Sequence, residues 1–141
     1  MKANENGRED LLSKHPIVIQ GTSFLQAKES DLLTEKELAI VLEIVCMVDS
    51  TDEDDKDYEW SVQEWYEILG ITGSNRDFQF KNIFQDLLMK IVELPREGRG
   101  WLLTHWISSV LYSKNTETVK IGLTPELRPY FLHLKHSLKL E

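Results

Sequence analysis

The chain has 141 residues, 41% of them hydrophobic and 28% charged, which is material for one core and one domain. Its apolar runs, such as Ile44–Val48, fall far short of a membrane span. The single cysteine, Cys46, excludes an internal disulfide or a cysteine-based zinc site and suits a reducing cytoplasm. The net charge of −8 is uneven: residues 1–60 hold 15 acidic and 6 basic side chains (−9), residues 61–141 hold 9 and 10 (+1), so any nucleic-acid contact belongs to the second part.

Residues 1–16 are polar, with few apolar anchors and no secretory signal, and are expected to form a flexible leader. The domain is expected over 17–139, and the terminal Leu140–Glu141 is expected to be a vector-derived scar. Pro16-Ile17-Val18-Ile19 predicts a short extended piece. Thr34-Glu35-Lys36-Glu37 fits a capping box, in which Thr34 bonds the orphan N–H groups and Glu37 reaches back. Behind it Leu38, Val41, Leu42, Val45 and Val48 share one face while Ile40, Ile44 and Met47 fill a second, as in a central, buried helix.

The segment Asp49–Glu59 is expected to be an acidic, solvated loop. Ser61-Val62-Gln63-Glu64 is a second capping box, opening a short helix with Trp65, Ile68 and Leu69 that stops at Gly70. Ile71–Ser74 predicts a turn, with Ser74 as N-cap of a third helix. There Phe80, Ile83, Phe84, Leu87, Leu88 and Ile91 follow helical spacing, and Arg76, Gln79, Lys81, Asn82, Gln85 and Lys90 form the polar opposite face. Ile91–Leu94 predicts a short strand and Pro95–Gly100 a loop with two glycines and two arginines. Trp101–Tyr112 predicts one longer strand, Ser113–Glu117 a turn, and Val119, Ile121 and Leu123 the alternation of a return strand. Thr124-Pro125-Glu126 opens a last helix, with Thr124 as its N-cap, Pro125 at the first helical position and Leu127, Phe131, Leu134 and Leu138 on its apolar face. Helix, short helix, turn, helix and strand pair around a Gly/Arg loop is the order of a winged helix-turn-helix, an α+β fold of helices packed with a small antiparallel sheet.

Catalytic and metal chemistry find little support. His133 and His136 share a helix face but lack a third ligand, and the acidic segment lacks the central glycine and final glutamate of a calcium loop. Cys46 lies in the most apolar helix, and no Gly-rich phosphate loop ending in Lys-Ser/Thr is present. No enzyme and no cofactor are expected. DNA contact is the remaining chemistry, through Arg76, Gln79, Lys81, Asn82, Arg96 and Arg99. Residues 75–100 carry five basic and four acidic side chains, a balance of +1 that supports only auxiliary contact; the amides Gln79, Asn82 and Gln85 suit adenine edges, although a solvated helix face explains them equally. Trp101, Trp106 and Tyr112 are candidate dimer-interface residues, because an apolar edge strand is a ready pairing surface, although burial under the last helix explains them equally.

The string Trp106–Tyr112 followed by Val119-Lys120-Ile121-Gly122-Leu123-Thr124-Pro125-Glu126-Leu127-Arg128-Pro129-Tyr130-Phe131-Leu132-His133-Leu134-Lys135 resembles the strand–hairpin–strand–helix signature of iteron-binding plasmid replication initiators. Thr34–Leu38 and Tyr66–Ile71 are similar to that family's first helix and short helix. Ser23 stands where family members often carry Asn. The resemblance implies the N-terminal winged helix of two, serving plasmid replication initiation and copy-number control. The second domain would read the double-stranded origin repeats, and this one would supply dimerisation and backbone contacts, with host replication proteins as further partners. By position the helix Asn75–Lys90 and the loop Pro95–Gly100 would face DNA. The alternative is a regulatory winged helix that binds protein through its acidic part and ignores DNA.

Overall fold

The structure, a computed structural model, describes residues 32–53, 55–95 and 100–138. The expected leader, the extended piece at 16–19, the loop residues 96–99 and the terminal pair lie outside them. Helix α1 (Glu35–Met47) begins at the anticipated capping box: the Glu37 N–H donates to Thr34 Oγ1 at 3.2 Å and the Thr34 N–H to Glu37 Oε1 at 2.9 Å. Leu38, Ile40, Val41, Leu42, Ile44 and Val45 are all buried, so α1 is the central helix; Met47 is instead exposed at its end. The Lys135 ammonium donates to the Val48 carbonyl at 2.8 Å, satisfying the close of α1.

The acidic segment departs from the expected loop. Its second half is strand β1 (Asp57–Ser61), with Tyr58 and Trp60 inward and Asp57 and Glu59 outward. The period of two is carried by only two aromatic residues among acids, so charge masks it. The first half is not wholly solvated either. The Asp52 carboxylate accepts from the Tyr58 hydroxyl at 2.6 Å, the Lys56 ammonium at 3.2 Å and the Asp49 N–H at 2.9 Å. The Arg128 guanidinium lies 3.7 Å from it. Burial pushes the Asp52 carboxyl upward, yet these hydrogen bonds outweigh burial and hold it below the ordinary carboxylate value.

Helix α2 (Val62–Leu69) opens at the Ser61–Glu64 capping box and ends at Gly70, which adopts the left-handed conformation with φ of 66°. Helix α3 (Arg76–Leu88) has Asn75 rather than Ser74 at its N-cap, without a side-chain cap bond. Ile91 fits the helical spacing but leaves the helix and opens strand β2 (Ile91–Pro95), which pairs antiparallel with β3 (Trp101–His105) as a two-stranded hairpin. Strand β4 (Ile107–Ser113) belongs to a second sheet, ordered β1-β5-β4, with β5 (Thr118–Leu123) in the middle and both pairings antiparallel.

The single strand expected over Trp101–Tyr112 is therefore two, broken at Trp106. Trp106 is fully buried and stacks on Phe131, with ring centres 6.2 Å apart and planes 6° from parallel. A run apolar on both faces here serves two different sheets, with its pivot driven into the core. After β5 the Thr124 hydroxyl donates to the His105 carbonyl at 2.9 Å rather than capping, and Pro125–Leu127 form a 3-10 turn. Helix α4 (Arg128–Leu138) then buries Phe131 and Leu134. The result is an α+β fold of four helices and two small antiparallel sheets among the described residues.

Candidate nucleic-acid interface

The pair α2–α3 is held by an aromatic ladder. Trp65 is fully buried, 4.9 Å from Trp60 and 5.5 Å from Phe84, which it meets edge-on. Phe80 lies 4.7 Å from Phe84 and 6.0 Å from Tyr66. Such contacts contribute about 0.5–1.5 kcal/mol each beyond area burial, so the inner face of α3 is fixed. The turn is pinned as well. The Gly70 N–H donates to the Glu67 carbonyl and the Ile71 N–H to the Tyr66 carbonyl. The Lys36 ammonium donates to the Leu69 carbonyl at 2.6 Å.

At the start of α3 the Tyr66 hydroxyl donates to the Asp77 carboxylate, and the Arg76 guanidinium lies over the Tyr66 ring at 4.7 Å. Burial, with Asp77 beside it, pushes the Tyr66 phenol up to about 12. At the far end the Lys90 ammonium donates to Glu37 Oε1 at 2.7 Å and to the Leu32 carbonyl at 2.9 Å. Lys90 thus ties α3 to α1 and does not join the polar outer face to which its spacing assigned it.

The outer face of α3 contains Lys81, Asn82 and Gln85, all exposed; Arg76 is exposed too, but as the first helical residue it heads the stripe of Phe80, Ile83 and Leu87 and not the outer face to which its sequence pattern assigned it. Gln79 is different. It is half-buried, and its amide donates to Asn75 Oδ1 at 2.6 Å and the Thr72 carbonyl at 3.2 Å, so it supports the turn rather than facing outward. Arg96 and Arg99 lie outside the described residues. Of the three aromatic residues proposed for a dimer surface, Trp106 offers no exposed surface, because it is a core residue at 0% exposure. Trp101 is 63% exposed on the outward face of the β2–β3 hairpin, together with Ile91 and Leu103. Tyr112 sits on β4, in a different sheet, 6.3 Å from Phe80. These residues therefore do not form one surface.

Sequence reasoning passed over Phe78 and Met89, which stand open to solvent on or just beyond α3 at 64% and 73% exposure. The signal was available: both fall off the apolar period of the helix. Between α3 and β4 runs an apolar cleft of about 460 Å³, lined by Tyr66, Phe80, Phe84, Leu88, Val110 and Tyr112. Asp77, Lys81 and Gln85 also border it. Among the described residues no group of three His, Cys, Asp or Glu side chains is placed to hold a metal, and no helix is long and apolar enough to cross a membrane.

Comparison with known proteins finds a family model described as "Initiator Replication protein, WH1" that matches residues 17–141. No curated protein matches the chain. Among solved structures, the crystal structure of the MSBI1.176 WH1 domain, a replication protein isolated from a multiple sclerosis patient, aligns with a TM-score of 0.52. That alignment has 19% identity and covers 74% of this chain and 81% of that one. A likeness at this identity speaks for the fold, and the fold it supports is a winged helix.

Proposed function

The chain belongs to the Initiator Replication protein WH1 family, and on that premise we propose that it serves plasmid replication initiation and copy-number control as a non-enzymatic DNA-contacting domain. In this reading the DNA-facing part is α3 with the neighbouring β2–β3 hairpin, contact is auxiliary, and a second copy of the chain and host replication proteins are further partners in a cytoplasmic setting. One observation carries it. The helix that follows the helix–turn is clamped at both ends by Tyr66–Asp77 and Lys90–Glu37, while Arg76, Lys81, Asn82 and Gln85 stay exposed.

The contact is expected to be weak, because α3 carries two basic and two acidic side chains. Binding to a duplex should fall steeply with salt. Arg76→Ala and Lys81→Ala should each weaken it about equally across sequences and reduce the log–log salt slope by about 0.9. No binding at low salt, or binding insensitive to salt, would instead support a protein-interaction module acting through the acidic part.

A further inference from the structure

Resting on the DNA-facing reading above, we infer that the outward stripe of α3 reads A·T base pairs in the major groove, through the amides of Asn82 and Gln85 and the flanking apolar contacts of Phe78 and Met89. The four positions fall at i, i+4, i+7 and i+11, one line along a helix, spanning about 16 Å. No charged residue lies on that line. Groups that meet phosphates carry positive charge, whereas groups that meet base edges need matched donors and acceptors, so an uncharged centre suits a groove floor, with Lys81 on one side of it to meet phosphate and the exposed Asp86 on the other.

The amides are not equivalent. Gln79 spends its donors on Thr72 and Asn75. Asn82 and Gln85 are exposed and make no side-chain hydrogen bond among the described residues. An amide offers one donor and one acceptor side by side, the pattern that matches adenine N7 and N6. Along the helix axis the two lie about 4.5 Å apart, close enough for the two amides to reach neighbouring base pairs. Phe78 and Met89 then have a natural counterpart in the thymine methyl, the one apolar group on the major-groove floor. This also accounts for two large apolar side chains left in solvent, and it favours thymine-bearing sequence over G·C, whose edges offer no methyl and suit arginine better.

The test compares the unaltered chain on two duplexes of equal length, one with a mixed A·T centre that avoids A-tracts and one with a G·C centre, by fluorescence anisotropy at low salt. The A·T duplex should bind about fivefold tighter or more. Replacing adenine by 7-deazaadenine, which removes only the major-groove N7 acceptor, should abolish most of that preference. The double variant N82A/Q85A should do the same with its salt slope kept, while Lys81→Ala should weaken both duplexes equally and keep the preference. Equal affinity for the two duplexes overturns the inference and leaves DNA contact standing. A preference that survives both 7-deazaadenine and N82A/Q85A overturns it too. Failure to bind either duplex would remove the DNA-facing reading and this inference together.

Discussion

Replacing Lys90 with Met tests how α3 is held. The substitution keeps the apolar stem of the side chain and removes the ammonium that lies 2.7 Å from Glu37 Oε1 and 2.9 Å from the Leu32 carbonyl. The Glu37 side chain is 3% exposed and the Lys90 side chain 15%, so the pair is largely withdrawn from water. Removing one partner of a fully buried pair costs about 3–5 kcal/mol, because the other charge is stranded. Two features reduce that figure: water reaches part of Lys90, and Glu37 keeps its bond from the Thr34 N–H. A loss of about 2–3 kcal/mol follows, which at roughly 4 °C per kcal/mol for a domain of this size lowers the melting midpoint by about 8–12 °C. Circular dichroism melts of Lys90→Met, Glu37→Gln and the double variant measure it. The double variant should fall short of the sum of the singles by about 1 kcal/mol or more. Because Lys90 faces α1 and not solvent, Lys90→Met should leave the salt slope of DNA binding unchanged. A parental midpoint, strict additivity, or a slope reduced as by Lys81→Ala would refute this account.

Other outcomes follow from the same packing. Trp106→Ala should cost about 3–5 kcal/mol in urea unfolding, since its ring stacks on Phe131 at 0% exposure, whereas Trp101→Ala at 63% exposure should stay within about 0.5 kcal/mol and act only on self-association seen by sedimentation. Gly70→Ala should lose about 1–2 kcal/mol from backbone strain alone, because φ is 66° and a Cβ there would meet nothing within 4 Å. In acid, Asp52 stabilises the fold above its unfolded value of 3.8 and loses that contribution as pH falls through its lower folded value; Asp52→Asn should therefore flatten stability against pH in that range. In alkali, Tyr58, raised chiefly by burial and then by Asp52, and Tyr66 each ionise at about 12 rather than 10, so their stabilising contribution is complete below pH 10 and is lost as pH rises toward 12. Absorbance titration should show that late step shrink in Tyr58→Phe and Tyr66→Phe.

The helices were legible because their signals are local. Both capping boxes, at Thr34–Glu37 and Ser61–Glu64, lie within four residues and form as read. The period of Phe80, Phe84 and Leu87 likewise marks a buried face directly. What escaped depends on partners far along the chain. Asp57–Ser61 is a strand because β5 lies beside it, about sixty residues later. The division of Trp101–Tyr112 at Trp106 depends on Phe131, which receives the ring. Lys90 looks like one more basic residue on a polar face until Glu37, 53 residues earlier, is brought within 2.7 Å. At the candidate interface, the residue types were legible in sequence, but the engagement of Gln79 in its own turn and the exposure of Phe78 and Met89 are three-dimensional facts.

The most direct measurement of the central claim is an amide chemical-shift map of the isotopically labelled chain titrated with a short duplex at low salt. The largest shifts should fall on α3, Arg76–Leu88, and on the β2–β3 hairpin, with the acidic residues 49–59 and the outer face of β1 unmoved. Shifts confined to that acidic segment, or none at saturating duplex, would contradict it.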